Sequence, residues 1–191
     1  MKLRYVVIIL FLILLSPLKT YAGEPTDTIK AHVEEVMNVL KASVDEDAKK
    51  ADIRNIAGRM FDFSSMSKAT LGKNWGNLNE DQRSEFIRLL RSMLENAYIS
   101  KMLGYTDEKA VFIKERALSE TRVEVQSNLI TGNTEIPMHY RMLRLDNQWK
   151  VYDVNIEGVS LIKNYRSQFR EILAKQSPEE LLQIMRDKAG T

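Results

Sequence analysis

The chain has 191 residues, with 28 Lys and Arg against 26 Asp and Glu, 44% hydrophobic and 28% charged side chains, and no cysteine. That length and balance allow one packed domain and exclude a disordered, collagen-like or disulfide-stapled chain. Lys2, Arg4 and Lys19 all fall in the first 22 residues, which hold no acid, so the remainder carries 25 basic against 26 acidic groups. The electrostatic case for a nucleic-acid partner therefore disappears.

Residues 1–22 read as a secretory signal peptide: Lys2 and Arg4 make the positive start, residues 5–15 form an uninterrupted apolar run, and Pro17 begins a cleavage region ending Thr20-Tyr21-Ala22. A membrane anchor needs about 20 apolar residues. The run from residue 5 to residue 18 is only 14 long, with Ser16 and Pro17 inside it. No cysteine follows that could carry a lipid anchor, and no second apolar span appears, so stable membrane insertion is not expected. Cleavage after Ala22 leaves residues 23–191, 169 in all, as one domain. An exported chain without cysteine relies on burial and hydrogen bonding alone.

Thr26 or Asp27 can cap a first helix in which Ile29, Val33, Val36, Met37 and Leu40 recur at spacings of three and four. A second helix holds Ile53, Ile56 and Ala57, and Phe61-Asp62-Phe63 leads into a short third one carrying Met66, Ala69 and Leu71, stopped by Gly72. Asn79, followed three residues later by Gln82, makes a capping-box start for the longest helix, about residues 79–103. Its apolar stripe of Phe86, Leu89, Leu90, Met93, Leu94, Ala97, Tyr98 and Met102 is wide enough to face two partners or one large concave surface.

From residue 110 the period changes to two. After a strand around 110–117, Val123, Val125, Ser127 and Leu129 alternate with Arg122, Glu124, Gln126 and Asn128, which predicts a half-buried strand with one wet face. Thr131-Gly132-Asn133 turns the chain into a strand holding Ile136, Met138, Tyr140 and Met142, and Asp146-Asn147 turns it again into residues 149–157. Gly158 then opens a helix with Val159, Leu161, Ile162, Tyr165 and Phe169, and Ser177, Pro178 and Glu180 start a last one. Helices before and after a four-stranded antiparallel meander predict an α+β fold with helices covering one sheet face.

Motifs of catalysis are sparse: no glycine-rich phosphate loop, no strand-turn-helix serine nucleophile and no cysteine or histidine ligand cluster. His139 falls on the polar side of its strand. Asp153 is the carboxylate to weigh, either as the buried general base of a cavity enzyme or as a hydrogen-bonded acid tying the sheet to the next helix. Arg83, Arg88, Arg91, Arg141, Arg144, Arg166 and Arg170 are read as a solvated face, with the rim of an anionic-ligand site as the alternative. The conspicuous inventory is apolar: aromatic residues and adaptable methionines converge from helices and sheet. Periodicity alone leaves open whether they fill a core or surround a hollow one.

Trp149-Lys150-Val151-Tyr152-Asp153-Val154-Asn155-Ile156-Glu157-Gly158-Val159-Ser160-Leu161, followed by Asn164-Tyr165-Arg166-Ser167-Gln168-Phe169, closely resembles the pattern of the MlaC family, also called toluene-tolerance or ABC-transporter auxiliary proteins. The series Leu71-Gly72, Trp75, Leu78, Gln82, Phe86 and Tyr98 matches the same family, and the resemblance spans about residues 25–188.

The resemblance implies a highly twisted four-stranded antiparallel sheet wrapped by helices, enclosing an apolar lipid pocket. It implies a non-enzymatic, soluble periplasmic carrier of glycerophospholipid, with lipid as cargo and no cofactor. Its partners would be an inner-membrane complex of an MCE protein with an ABC transporter and an outer-membrane lipoprotein-porin complex, the traffic between them maintaining outer-membrane lipid asymmetry. A hopanoid-associated carrier of the same family and a non-carrying envelope adaptor are the alternatives. In the cavity reading the expected lining is Phe61, Phe63, Leu71, Trp75, Phe86, Leu90, Met93, Val125, Met138, Tyr140, Tyr152, Val154, Val159, Ile162, Tyr165 and Phe169, each with a packing-only alternative. Val125→Trp would then plug the pocket in a folded protein.

Overall fold

The computed structural model describes residues 23–105 and 107–190; the signal-peptide expectation falls on residues 1–22, outside them. Helix α1 (Glu24–Lys41) begins directly after Gly23, ahead of both expected caps. Pro25 suits the first turn of a helix, and Glu24 and Asp27 complement the partial positive charge there. Thr26 is diverted to a tertiary contact, its hydroxyl donating to Glu115 at 2.8 Å.

Asp45 caps α2 (Glu46–Met60) through the Ala48 N–H, and Asp62 caps α3 (Phe63–Leu71) through the N–H groups of Ser64 and Ser65. Gly72, at φ 57°, ends α3 in a conformation that side chains disfavour, and the chain continues as a 3-10 turn over Gly72–Asn77. The expected capping box starts α4 (Glu80–Met102): Asn79 accepts from the Gln82 N–H at 2.9 Å, and the Gln82 side chain accepts from the Asn79 N–H at 3.1 Å.

Strands β1 (Lys109–Ser119), β2 (Arg122–Thr131), β3 (Thr134–Leu145) and β4 (Gln148–Ile156) form an antiparallel meander in sequence order. The four expected strands are thus present, and a two-residue fifth, β5 (Val159–Ser160), is added to them by pairing with the end of β4. Glu157 and Gly158 both take positive φ, 50° and 85°, so they form a tight hairpin turn and do not open a helix. Ser160 then caps α5 (Leu161–Leu173) by accepting from the Lys163 N–H. Helix α6 (Pro178–Ala189) has a second capping box, between Ser177 and Glu180.

The second correction concerns the wet face of β2. Glu124 is only 3% exposed, because Arg116 and Gln126 reach it at 2.9 and 3.0 Å and Arg141 at 3.2 Å. Burial disfavours its ionisation, but these three donors outweigh that cost and hold the Glu124 carboxyl at about 2. Arg141 continues the row to Asp153 at 3.4 Å, so one chain of charge-assisted contacts crosses β1 to β4.

Burial gathers the apolar side chains into three clusters. The first packs Phe86, Leu89 and Leu90 of α4 against Phe169 of α5 and Leu181, Leu182 and Met185 of α6. A second sets Ile29 and Met60 on Val125, Tyr140, Met142, Val151 and Val154 of the sheet. The small third one joins Leu40, Ile53 and Ile99.

Candidate functional site

Where the three clusters approach one another they leave a cavity of about 360 Å³, partly open to solvent. Each flanking element contributes a wall. Helix α1 supplies Val33, Val36, Met37 and Leu40, and α2 and the start of α3 supply Ala57, Met60, Phe61, Phe63 and Met66. The second half of α4 presents Leu94, Tyr98, Ile99 and Met102, facing Leu129, Ile136, Met138, Tyr140, Val154 and Ile156 of the sheet. The wide stripe of α4 thus serves both expected purposes: its first half packs on α5 and α6, and its second half faces a concave surface.

Polar groups in the wall are few and mostly answered. Glu95 is held by Arg91 at 2.6 Å and by Arg54 at 3.6 Å. Ser127 donates to the Met138 carbonyl at 3.0 Å, and burial pushes the Tyr140 hydroxyl up to about 12, with its contact to Ser127 acting the other way. At neutral pH the Tyr140 and Ser127 hydroxyls therefore bring no charge to the wall. An enclosure so lined can shelter hydrocarbon but offers no constellation for bond-making.

Of the sixteen residues expected to line a pocket, Phe61, Phe63, Met138, Tyr140 and Val154 do so. The other eleven are placed elsewhere. Leu71, Phe86, Leu90, Met93, Ile162 and Phe169 are interior residues of the helical cluster, and Trp75 and Tyr165 pack against it, with Phe86 meeting Trp75 and Phe169 edge-on. Val125 is fully buried in the sheet cluster and is not part of the wall, so Val125→Trp would overpack a filled site and not plug a hollow one. Tyr152 is the extra residue at a bulge in β4 and lies beneath the Arg122 guanidinium, and Val159 is 56% exposed on β5. Except for Tyr152 and Val159, periodicity placed these side chains on apolar faces, but a helix in this fold has two apolar neighbours, and spacing does not say which one it faces. The contribution of α1 was missed although its stripe was read; a long amphipathic helix whose partner is unassigned was the available signal.

Asp153 is only 3% exposed and outside the cavity wall. It accepts from the Ser160 hydroxyl at 2.7 Å and from the Ile162 N–H at 3.1 Å, so it ties β4 to the first turn of α5. None of the seven arginines considered as an anionic rim lines the cavity. Arg83 donates to the Trp75 carbonyl, Arg166 to that of Ala69, Arg88 to Glu85, and Arg144 to Asn147; Arg91 and Arg141 bind the acids named above. Arg88, Arg166 and Arg170 are exposed, in keeping with the expected solvated face, whereas Arg83, Arg91, Arg141 and Arg144 are half-buried. Among the described residues no group of three or more His, Asp and Glu could hold a metal ion, and no helix is long and apolar enough to cross a membrane.

These features define a class: α+β domains in which helices wrap an open antiparallel sheet and hold an apolar cavity against it. The chain belongs to the MlaC protein family, whose model matches residues 30–187. It is 23% identical over 158 residues to the intermembrane phospholipid transport system binding protein MlaC of Haemophilus influenzae, covering 80% of this chain and 74% of that one. It is 22% identical over 175 residues to the toluene tolerance protein ttg2D of Pseudomonas putida, covering 87% and 81%. Its fold is similar to that of the phospholipid-binding protein from Ralstonia solanacearum solved in complex with a phospholipid, with a TM-score of 0.80 at 22% identity, over 86% of this chain and 96% of that one.

Proposed function

We propose that this protein binds glycerophospholipid by its acyl chains in the cavity and carries it between membranes, without catalysing a reaction. The observation that carries the reading is the 360 Å³ enclosure walled by apolar side chains from α1, α2, α4 and the sheet. Two tails offer about 30 methylenes, and at about 0.8 kcal/mol each the gross gain from hiding them is about 24 kcal/mol. No polar grip on the tails is needed. The volume lies toward the lower end of the ~300–1,000 Å³ typical of ligand pockets, so a two-tailed cargo requires the walls to part. The relatives support the same reading, since one is a binding protein of an intermembrane phospholipid transport system and another was solved with phospholipid bound.

In this proposal residues 1–22 are an export signal, and the carrier works in the periplasm between an outer-membrane lipoprotein-porin complex and an inner-membrane MCE and ABC-transporter complex. Lipid leaves only when a partner offers an equally apolar path, because release into water forfeits the gain just given. The cavity counts against a non-carrying adaptor, whose core should be filled. Asp153, spent on three structural donors, counts against the cavity enzyme.

The test is native mass spectrometry of the protein purified from the periplasm without detergent, followed by extraction and identification of bound lipid. A stoichiometric phospholipid is expected. A hopanoid would move the protein to the neighbouring branch of the family, and a protein empty both as purified and after incubation with vesicles would refute carriage.

A further inference from the structure

Three charged residues line the cavity: Glu95, Lys101 and Glu157. Glu95 is neutralised by Arg54 and Arg91. The other two enter no ion pair among the described residues, and both are exposed although they line the cavity, which places them where its mouth meets water. Lys101 sits in the last turn of α4 with its ammonium 5.7 Å from the centre of the Tyr98 ring, itself part of the wall.

Glu157 is unusual in a second way. Its φ of 50° lies in the left-handed region, where Gly, Asn and Asp are the residues of choice. The neighbouring hairpin follows that rule, with Asp146 and Asn147 at its positive-φ positions. At 157 the turn instead holds a longer carboxylate at an unfavourable backbone angle, and such strain at a cavity mouth points to a role for the side chain.

We propose that Lys101 and Glu157 form a headgroup site for a zwitterion of the phosphoethanolamine type. The Lys101 ammonium takes the phosphodiester and the Glu157 carboxylate takes the headgroup amine, while the tails enter the apolar space between. The inference rests on the carrier reading and adds a headgroup preference to it. An anionic headgroup without an amine satisfies Lys101 but gives the Glu157 carboxylate no cationic partner, so phosphatidylglycerol is disfavoured.

The experiment loads the delipidated full chain from vesicles of equal parts phosphatidylethanolamine and phosphatidylglycerol, then extracts and quantifies the bound lipid by mass spectrometry. The native protein should hold the ethanolamine lipid in several-fold excess. Glu157→Gly, which relieves the turn while removing the carboxylate, should bring the ratio to that of the vesicles, and Lys101→Gln should lower the loading of both lipids. Glu157→Lys should reverse the preference. Bound lipid that mirrors the vesicles in the native protein, or a ratio untouched by Glu157→Gly and Glu157→Lys, would overturn the headgroup site alone. No lipid in any sample would overturn carriage, and the headgroup site with it.

Discussion

Ala57→Trp separates a hollow site from a packed one by the sign of two measurements. Ala57 lies on α2 with its side chain in the cavity wall, so an indole there projects into the 360 Å³ space. It takes the room of about six acyl methylenes, which at about 0.8 kcal/mol each removes roughly 5 kcal/mol of lipid binding, a loss of more than about a thousandfold. The same ring fills a void in the lipid-free protein, and cavity filling of this kind gains about 0.5–2 kcal/mol. At about 2–4 °C per kcal/mol for a chain of this size, Tm of the delipidated protein should rise by roughly 1–8 °C. Lipid load by native mass spectrometry and thermal unfolding of the delipidated protein read the two effects. A lowered Tm with an unchanged lipid load would refute the reasoning, since that pair of results is the mark of an overpacked, filled site, which costs about 1–3 kcal/mol.

Phe86, wholly inside the helical cluster, should behave in the opposite way: Phe86→Ala costs about 3–5 kcal/mol in denaturant unfolding yet leaves the bound-lipid stoichiometry unchanged wherever the protein is folded. Asp153→Asn removes the charge that Arg141, Ser160 and the Ile162 N–H share, and should lower stability by about 2–3 kcal/mol, with lipid loading at low temperature intact; lost loading in a fully folded variant would show that Asp153 acts on cargo. The depressed Glu124 carboxyl stabilises the fold above its ordinary unfolded value of about 4.3, and that contribution is lost as the pH falls toward about 2. Unfolding free energies measured between pH 5 and pH 2 should show a decline of up to about 3 kcal/mol that Glu124→Gln abolishes; an equally steep decline in the variant would assign it to other acids.

Local signals in the chain settled most of the elements, because most are decided within a few residues. Asn79 with Gln82 and Ser177 with Glu180 cap their helices in the structure as their spacing requires, and the period of two after residue 110 becomes a meander turning at Gly132 and at Asp146-Asn147. The family was equally legible, because the run from Trp149 to Phe169 is a dense, linear pattern. Where chain pairing is tertiary, the sequence was silent. Val125 and Met138 share the apolar side of the sheet, yet one is sealed in the core and the other lines the cavity, a difference that no spacing encodes. Glu124 reads as wet in a linear pattern and is buried because Arg116, Gln126 and Arg141 arrive from its own and neighbouring strands. The hollow itself is the clearest case. Apolar composition dictates that these side chains leave water, whereas the placement of α1, α2 and α4 around the sheet determines whether they touch one another or stand apart around space for a cargo.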